Sequence, residues 1–225
     1  MIAILQSYSS MLLGALGKTL LLTLLSLLFA MIIGMIFALM NVGRNRVLNC
    51  IGTIYVDAVR GVPLIVLAYF IYFGVPSGMK MMGATDFRLS ALQAGTIALA
   101  MNCGAYMAEI IRAGIQSVDK GQMEAALMSA LTPAQAIRLI ILPQVVYVAL
   151  PNFGNMIIAL IQESSLAYLI GVVDVMGQAK IIDNMSYGAH IIEVYFAVSL
   201  LYWLLSLVTG KCVDLLSGKM GKVLG

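Results

Sequence analysis

The distribution of charged residues constrains this chain most, because it leaves five long stretches without a charged side chain. These stretches are residues 19–43, 61–79, 89–108, 139–162 and 194–210. A charge at the centre of a bilayer is costly, and about 20 predominantly apolar residues form a helix that crosses the hydrocarbon core. The sequence therefore predicts five transmembrane helices, at 19–41, 55–76, 89–112, 134–161 and 191–210.

The composition supports this prediction. Of the 225 residues, 62% are hydrophobic and 10% are charged, and the mean hydropathy is +1.01. A soluble domain carries about a quarter charged residues, and a disordered chain is poor in apolar residues. The figures exclude both classes and predict a single all-α membrane domain over 1–225. The net charge of +3 is not a clustered basic face, so no nucleic-acid partner is expected.

The basic residues predict the orientation of the helices. Nine of the 13 lysines and arginines fall on one set of loops, with Arg60 counted among them, and four fall on the other. Cytoplasmic loops carry an excess of Lys and Arg, so we expect the N-terminus outside and the C-terminus in the cytoplasm. The uncharged stretch 164–173 is too short to cross, and we expect it to be re-entrant, interfacial or buried beside a cavity.

The longest predicted cytoplasmic stretch contains a short helix at about 120–131. Asp119 is a typical N-cap, and Glu124 lies in the first turns, where the positive end of a helix favours an acid. The next helix begins with a capping-box pattern formed by Thr132, Pro133 and Gln135. The small and apolar side chains of 120–131 fit two interpretations: a helix laid into a groove of another protein, or one resting on the bilayer.

This stretch resembles the EAA loop of ABC importer permeases. The residues that follow the family spacing are Glu124, Ala125, Ala126, Ala130, Ile140, Leu142 and Pro143. Ala130 stands where the family usually has Gly, a mild departure in size. Further segments are similar to the polar amino acid branch of the family, namely 55–64, 71–76, 105–118, 150–152 and 162–166.

The resemblance implies partners and a mode of action. Two permease subunits, either two copies or this chain with a related subunit, form the pathway in a bacterial cytoplasmic (inner) membrane. Two ATPase subunits, which hold ATP and Mg²⁺, receive the EAA helices, and an extracytoplasmic binding protein delivers a polar amino acid for alternating-access transport. The residues implied in ATPase coupling are Gly121, Glu124, Ala125, Ala126 and Ala130.

Glu163 is the strongest candidate for a substrate contact, because it follows 24 uncharged residues. An acid within a span faces protein or water, and it attracts the ammonium group of an amino acid. The alternatives are an acid at the outer interface, or one paired with Arg60 or Lys180. The predicted pathway residues are Glu163, Ser164, Ser165, Arg60 and Pro63.

Two charge pairs at i, i+3 spacing predict either local ion pairs or gate contacts: Asp57 with Arg60, and Glu109 with Arg112. The segment 61–63 predicts a kink or a loosened helix start.

The sequence contains no catalytic set, no metal-ligand spacing and no phosphate-binding loop, so we expect neither an enzyme nor a cofactor on this chain. The alternatives to a permease are a stand-alone channel, a secondary amino acid carrier and a scaffold subunit without a pathway.

Overall fold

The chain forms long α-helices in a computed structural model, which describes residues 2–43 and 45–224, with side chains for 8–43, 45–119 and 121–220. The helices are α1 (Ile2–Val42), α2 (Arg46–Gly61), α3 (Leu64–Met81), α4 (Ala91–Ser117), α5 (Lys120–Met128), α6 (Pro133–Ile170), α7 (Val175–Met185) and α8 (Ile191–Leu224). No strand occurs in the described ranges. Five of the helices are long and apolar enough to cross a membrane, namely α1, α3, α4, α6 and α8. The predicted all-α fold with five such helices is confirmed.

The region predicted as one helix over 55–76 is interrupted in the structure. Helix α2 ends at Gly61, Val62 and Pro63 are extended with ψ angles of 131° and 136°, and α3 begins at Leu64. Proline lacks an N–H, and it disfavours helical backbone in the residue before it. The break therefore separates the charged helix α2 from the apolar helix α3.

Several other helix boundaries lie outside the predicted ranges. Helix α1 already begins at Ile2, and α8 continues to Leu224, well past the predicted end at 210. The short uncharged stretch after Glu163 forms a tight 3-10 segment, Ser164–Ile170, whose Ser164, Ala167 and Ile170 side chains are buried. Helix α1 continues across Lys18 and α8 continues past Lys211, so counting between charges underestimates their length.

Helix α4 is the most enclosed of the five long helices and packs mainly against α1. Small residues make this close approach possible. A Cβ at Gly104 would lie 2.8 Å from Cγ2 of Ile33, so only glycine fits there without a shift. The buried core between these helices includes Leu22, Ala30, Ala98, Cys103 and Met107.

Two of the long helices contain a π-helical turn directly before a proline. The turn Phe70–Gly74 precedes Pro76 in α3, and the turn Ile137–Ile141 precedes Pro143 in α6. A proline ring clashes with the carbonyl four residues earlier, and a wider turn relieves that clash. Both helices therefore cross their prolines without ending.

A buried polar cluster fixes the start of α7. The Asp174 carboxylate accepts hydrogen bonds from the Gly177 N–H (2.9 Å) and from the Tyr202 hydroxyl (3.1 Å), and Thr19 Oγ1 accepts one from the Val175 N–H (3.1 Å). Asp174 and Thr19 are fully buried. The cluster therefore ties α7 to α1 and α8, and burial raises the pKa of the Asp174 carboxyl.

Candidate functional site

Local signals at both ends define the short helix α5. The Asp119 side chain accepts a hydrogen bond from the Gly121 N–H at 2.6 Å, which caps the first turn. A Cβ on Gly121 would lie 2.8 Å from Asp119 Oδ1, so the glycine gives the cap its room. The capping box of Thr132 and Gln135 then begins the next helix. The predicted cap at Asp119 and the predicted capping box are both confirmed.

The end of α5 depends on an unusual backbone conformation at Ala130. The Ala130 N–H donates to the Leu127 carbonyl (3.1 Å) and the Leu131 N–H donates to the Ala126 carbonyl (3.3 Å), which together form a Schellman motif. That motif requires a left-handed residue, and Ala130 has φ = +60°. Glycine, which the EAA pattern usually has at this position, adopts that conformation without strain, whereas the sequence analysis considered only side-chain size.

The two faces of α5 have different surroundings. Glu124, Ala125, Leu127 and Met128 are exposed, and Met128 is 89% exposed. Ala126 is only 3% exposed, because it faces the interior of its own chain. Ala126 is therefore a packing residue within this subunit, and the surface open to a partner consists of the other residues.

The structure places Glu163 at the last α-helical residue of α6, partly buried and close to Cys103 on α4. Its Oε2 atom is buried and accepts no hydrogen bond within the described residues. Lys180 pairs instead with Asp183 at 2.9 Å, and Glu163 forms no ion pair with Arg60 or any other described side chain. The two predicted pairings of Glu163 are therefore wrong.

The two serines beside Glu163 use their hydroxyls locally. The Ser164 hydroxyl donates to the Ile161 carbonyl at 2.7 Å, and the Ser165 hydroxyl donates to the Gln162 carbonyl at 2.6 Å. Ser164 is fully buried, so it lines no accessible surface in this conformation. Ser165 is partly exposed and remains beside Glu163 as an accessible polar group.

The two predicted charge pairs have different outcomes. Arg112 pairs with Glu109, with Nε 2.9 Å from Oε2, and this local ion pair is confirmed. Asp57 and Arg60 form no ion pair within the described residues. The Arg60 guanidinium instead lies over the Tyr106 ring, 5.1 Å from its centroid. Pro63, three residues on, is exposed at the break before α3.

Helix α4 lies beside both Glu163 and Arg60. Cys103, which lies near Glu163, and Tyr106, which lies under Arg60, are one turn apart on the same face of α4. Glu109 and Arg112 follow on the next turns of α4, and α5 begins shortly after α4 ends. Among the described residues, no three His, Cys, Asp or Glu side chains are grouped to hold a metal ion.

Comparison with known proteins identifies the family. Residues 30–222 match the family described as "binding-protein-dependent transport system inner membrane component". This chain belongs to that permease family. It is thus a multi-pass inner-membrane transport subunit and not an enzyme, and in this family the ATPase is a separate subunit.

The curated relatives match the permease over nearly its whole length. It is 38% identical over 213 residues to the probable amino-acid permease protein YxeN of Bacillus subtilis, which covers 94% of this chain and 92% of the relative. It is 35% identical over 221 residues to the probable glutamine ABC transporter permease protein GlnM of the same organism, covering 98% of each. These matches favour a permease subunit over a stand-alone channel or carrier.

Solved structures agree with the permease fold. An amino acid ABC transporter crystallised with histidines superposes with a TM-score of 0.85 at 34% identity, covering 96% of this chain and 97% of that chain. The inward-facing MetNI methionine transporter has a TM-score of 0.68 at 17% identity, with 93% and 94% coverage, and shows the shared fold only.

The structure also shows two polar residues of the permease that the sequence analysis missed, Asn49 and Thr53. With Asp57 and Arg60 they recur at spacings of four, four and three along α2, and all four line one cleft against α4. The spacing was visible in the sequence. It was overlooked because the predicted span began at residue 55, so the first part of α2 was assigned to a loop.

Proposed function

We propose that this permease imports a polar amino acid by alternating access, driven by two separate ATPase subunits that bind ATP and Mg²⁺. A second permease subunit would complete the pathway, and an extracytoplasmic binding protein would deliver the amino acid. The observation that carries the proposal is the exposed face of α5, a capped helix with its apolar residue Met128 89% exposed. An apolar side chain this exposed on a short helix suits a groove in a partner.

The proposed contact with the ATPase consists of Gly121, Glu124, Ala125 and the turn at Ala130. The exposed side of α5 presents small side chains beside Leu127 and Met128, which allows a partner to approach the backbone closely. Ala126 supports this surface from behind by packing into its own subunit. The rigid caps at Asp119 and Thr132 hold the helix in a fixed position, as a coupling element requires.

The proposed substrate pathway follows α4. Glu163 offers a partly buried carboxylate without a partner among the described residues, which suits the ammonium group of an amino acid. Ser165 lies beside it. Arg60 of α2 lies over the Tyr106 ring of α4, three residues before the exposed Pro63. The relatives named for glutamine and for L-cystine support an amino acid as the cargo. The cargo of this chain within that class is part of the proposal.

The proposed orientation has the N-terminus outside and the C-terminus in the cytoplasm. The positive-inside rule supports it, and it puts α5 on the cytoplasmic side, where ATP is available.

Transport assays in proteoliposomes test this proposal directly. The permease would be co-expressed with its ATPase, purified, and reconstituted with ATP inside and binding protein outside. We expect uptake of a labelled polar amino acid, with glutamine and cystine as the first probes, that needs both ATP and the binding protein. Uptake that proceeds without ATP would contradict the proposal and favour a carrier or channel.

A further inference from the structure

A polar cleft between α1, α2 and α4 is lined by four charged side chains. Its volume is about 360 Å³, near the lower end for small-molecule sites. The charged residues that line it are Asp57, Arg60, Glu109 and Arg112. Two acids and two bases make the cleft electrically neutral, so it suits neither a simple cation nor a simple anion.

One acid and one base in the cleft already satisfy each other. Arg112 donates to Glu109 and, through Nη1, to Gln116 Oε1 at 2.8 Å. Their side chains are 31% and 32% exposed, so the pair is anchored on α4 and only partly solvated. This ion pair lines one side of the cleft. Because the charges of Glu109 and Arg112 are already paired, neither side chain is well placed to bind a charged ligand.

The other acid and base are kept apart. Asp57 and Arg60 lie one turn apart on α2, a spacing at which such side chains often pair, yet they form no ion pair within the described residues. Arg60 is held over the Tyr106 ring of α4. A guanidinium in a cation–π contact donates no hydrogen bond to the ring, so its N–H groups remain available to a carboxylate.

We propose that this cleft binds a free α-amino acid as its zwitterion, with the carboxylate at Arg60 and the ammonium group at Asp57. The Asn49 Nδ2 group donates to the Asn41 carbonyl at 2.6 Å. The Asn49 amide oxygen and the hydroxyl of Thr53, on the same face of α2, would supply further hydrogen bonds. A molecule with one positive and one negative group on neighbouring carbons complements two opposite charges one helical turn apart. In the proposed orientation the site lies at the cytoplasmic end of the permease, separate from Glu163.

The proposal depends on the proposed function only for the class of ligand. It is tested on the permease–ATPase complex in lipid nanodiscs, without binding protein, by calorimetric titration with L-glutamine, L-cystine and L-arginine. We expect saturable binding of at least one of them. For that amino acid, the analogue lacking the α-ammonium group and the analogue with the carboxylate amidated should each bind about tenfold more weakly or worse. These comparisons use the unaltered protein, so they do not depend on the folding of a variant.

Matched variants then locate the site. Asp57→Asn and Arg60→Gln should each weaken binding about tenfold or more, whereas the exposed loop variants Asp86→Asn and Arg88→Gln should leave it unchanged. Arg60→Lys keeps the positive charge but loses the planar guanidinium, so its affinity for the amino acid should lie between those of the unaltered protein and Arg60→Gln.

Two results would overturn the assignment. They are no saturable binding of any of the three amino acids, and binding that survives both Asp57→Asn and Arg60→Gln. Absence of ATP-dependent uptake with binding intact would contradict the proposed function alone.

Discussion

At the scale of single residues, Glu163 is the side chain that we propose to contact the amino acid. Its carboxylate reaches the protein interior with a buried oxygen that has no partner in the described chain, and such an uncompensated group is costly unless it serves a ligand. We expect Glu163→Gln to reduce the rate of ATP-dependent amino acid uptake about tenfold or more. Recruitment of the ATPase should stay normal, because α5 is unaffected.

The matched control for this variant is Glu193→Gln, which removes an acid in the first turn of α8. Uptake kinetics should stay close to those of the unaltered chain. Equal kinetics in Glu163→Gln and Glu193→Gln would remove Glu163 from the pathway.

The Asp174 carboxyl predicts a pH dependence of stability with an unusual sign. Burial raises its pKa above the usual value, so the folded state binds this proton more tightly than the unfolded state. The contribution of Asp174 to stability is therefore greatest below the ordinary pKa and declines as the pH rises through the folded pKa. Most carboxylates in ion pairs behave in the opposite way.

Thermal unfolding in mild detergent between pH 5 and pH 8 checks this sign. Compared with Asp174→Asn, which keeps a helix-capping side chain, the unaltered chain should gain in relative stability as the pH falls. Asp86→Asn at an exposed position should show no such trend. A relative stability that rises with pH would contradict the assigned cause.

Ala130 predicts a change in stability that side-chain size alone does not suggest. A left-handed conformation costs an L-residue about 1–2 kcal/mol, and glycine avoids that cost. We expect Ala130→Gly to raise the thermal midpoint by a few degrees, because a change of about 1 kcal/mol shifts a domain of this size by about 2–4 °C. Ala125→Gly, in the regular part of the same helix, should lower it by a similar amount. Equal effects of the two glycines would contradict the backbone explanation.

At the scale of helices, predictions from local signals succeeded and predictions that depended on burial did not. The caps at Asp119 and at Thr132 were predictable, because a cap requires only residues a few positions apart. The burial of Ala126 and Ser164 was not predictable, because each depends on which distant helix covers it. The sequence analysis merged part of α2 with the apolar helix α3 in one predicted span over 55–76, whereas the break at Val62 and Pro63 separates the two helices.

The exposed face of α5 predicts the effect of reversing a charge. Glu124→Lys leaves the helix caps intact but reverses the charge offered to the ATPase, and like or mismatched charges across an interface cost several kcal/mol. We expect the amount of ATPase that co-purifies with the permease to fall about tenfold. Asp214→Lys makes the same charge change at an exposed position of α8 and should retain the ATPase. Equal recovery of ATPase with both variants would contradict a role for Glu124 in coupling.

At the scale of the whole molecule, the permease consists of a well-packed interior and an apolar exterior. Helix α4 packs against α1 and α6, and its Tyr106 ring lies under the Arg60 guanidinium. Leu24, Leu28 and Trp203 are more than half exposed, as expected of side chains in contact with lipid or another subunit. Hydropathy alone predicted the number of long apolar helices. The arrangement of the helices around α4 depends on packing between residues that are distant in sequence, which no local sequence pattern predicts.

The central claim is that α5 seats in a separate ATPase on the cytoplasmic side, and a photo-cross-linking residue at Met128 tests it most directly. Met128 is 89% exposed, and Met82, 84% exposed in the loop after α3, is the matched position on the proposed outer side. The account predicts that irradiation of native membranes joins the Met128 position to an ATPase subunit and that the Met82 position gives no such product. A cross-link from Met128 only to lipid or to another copy of the permease, or an ATPase cross-link from Met82, would contradict it.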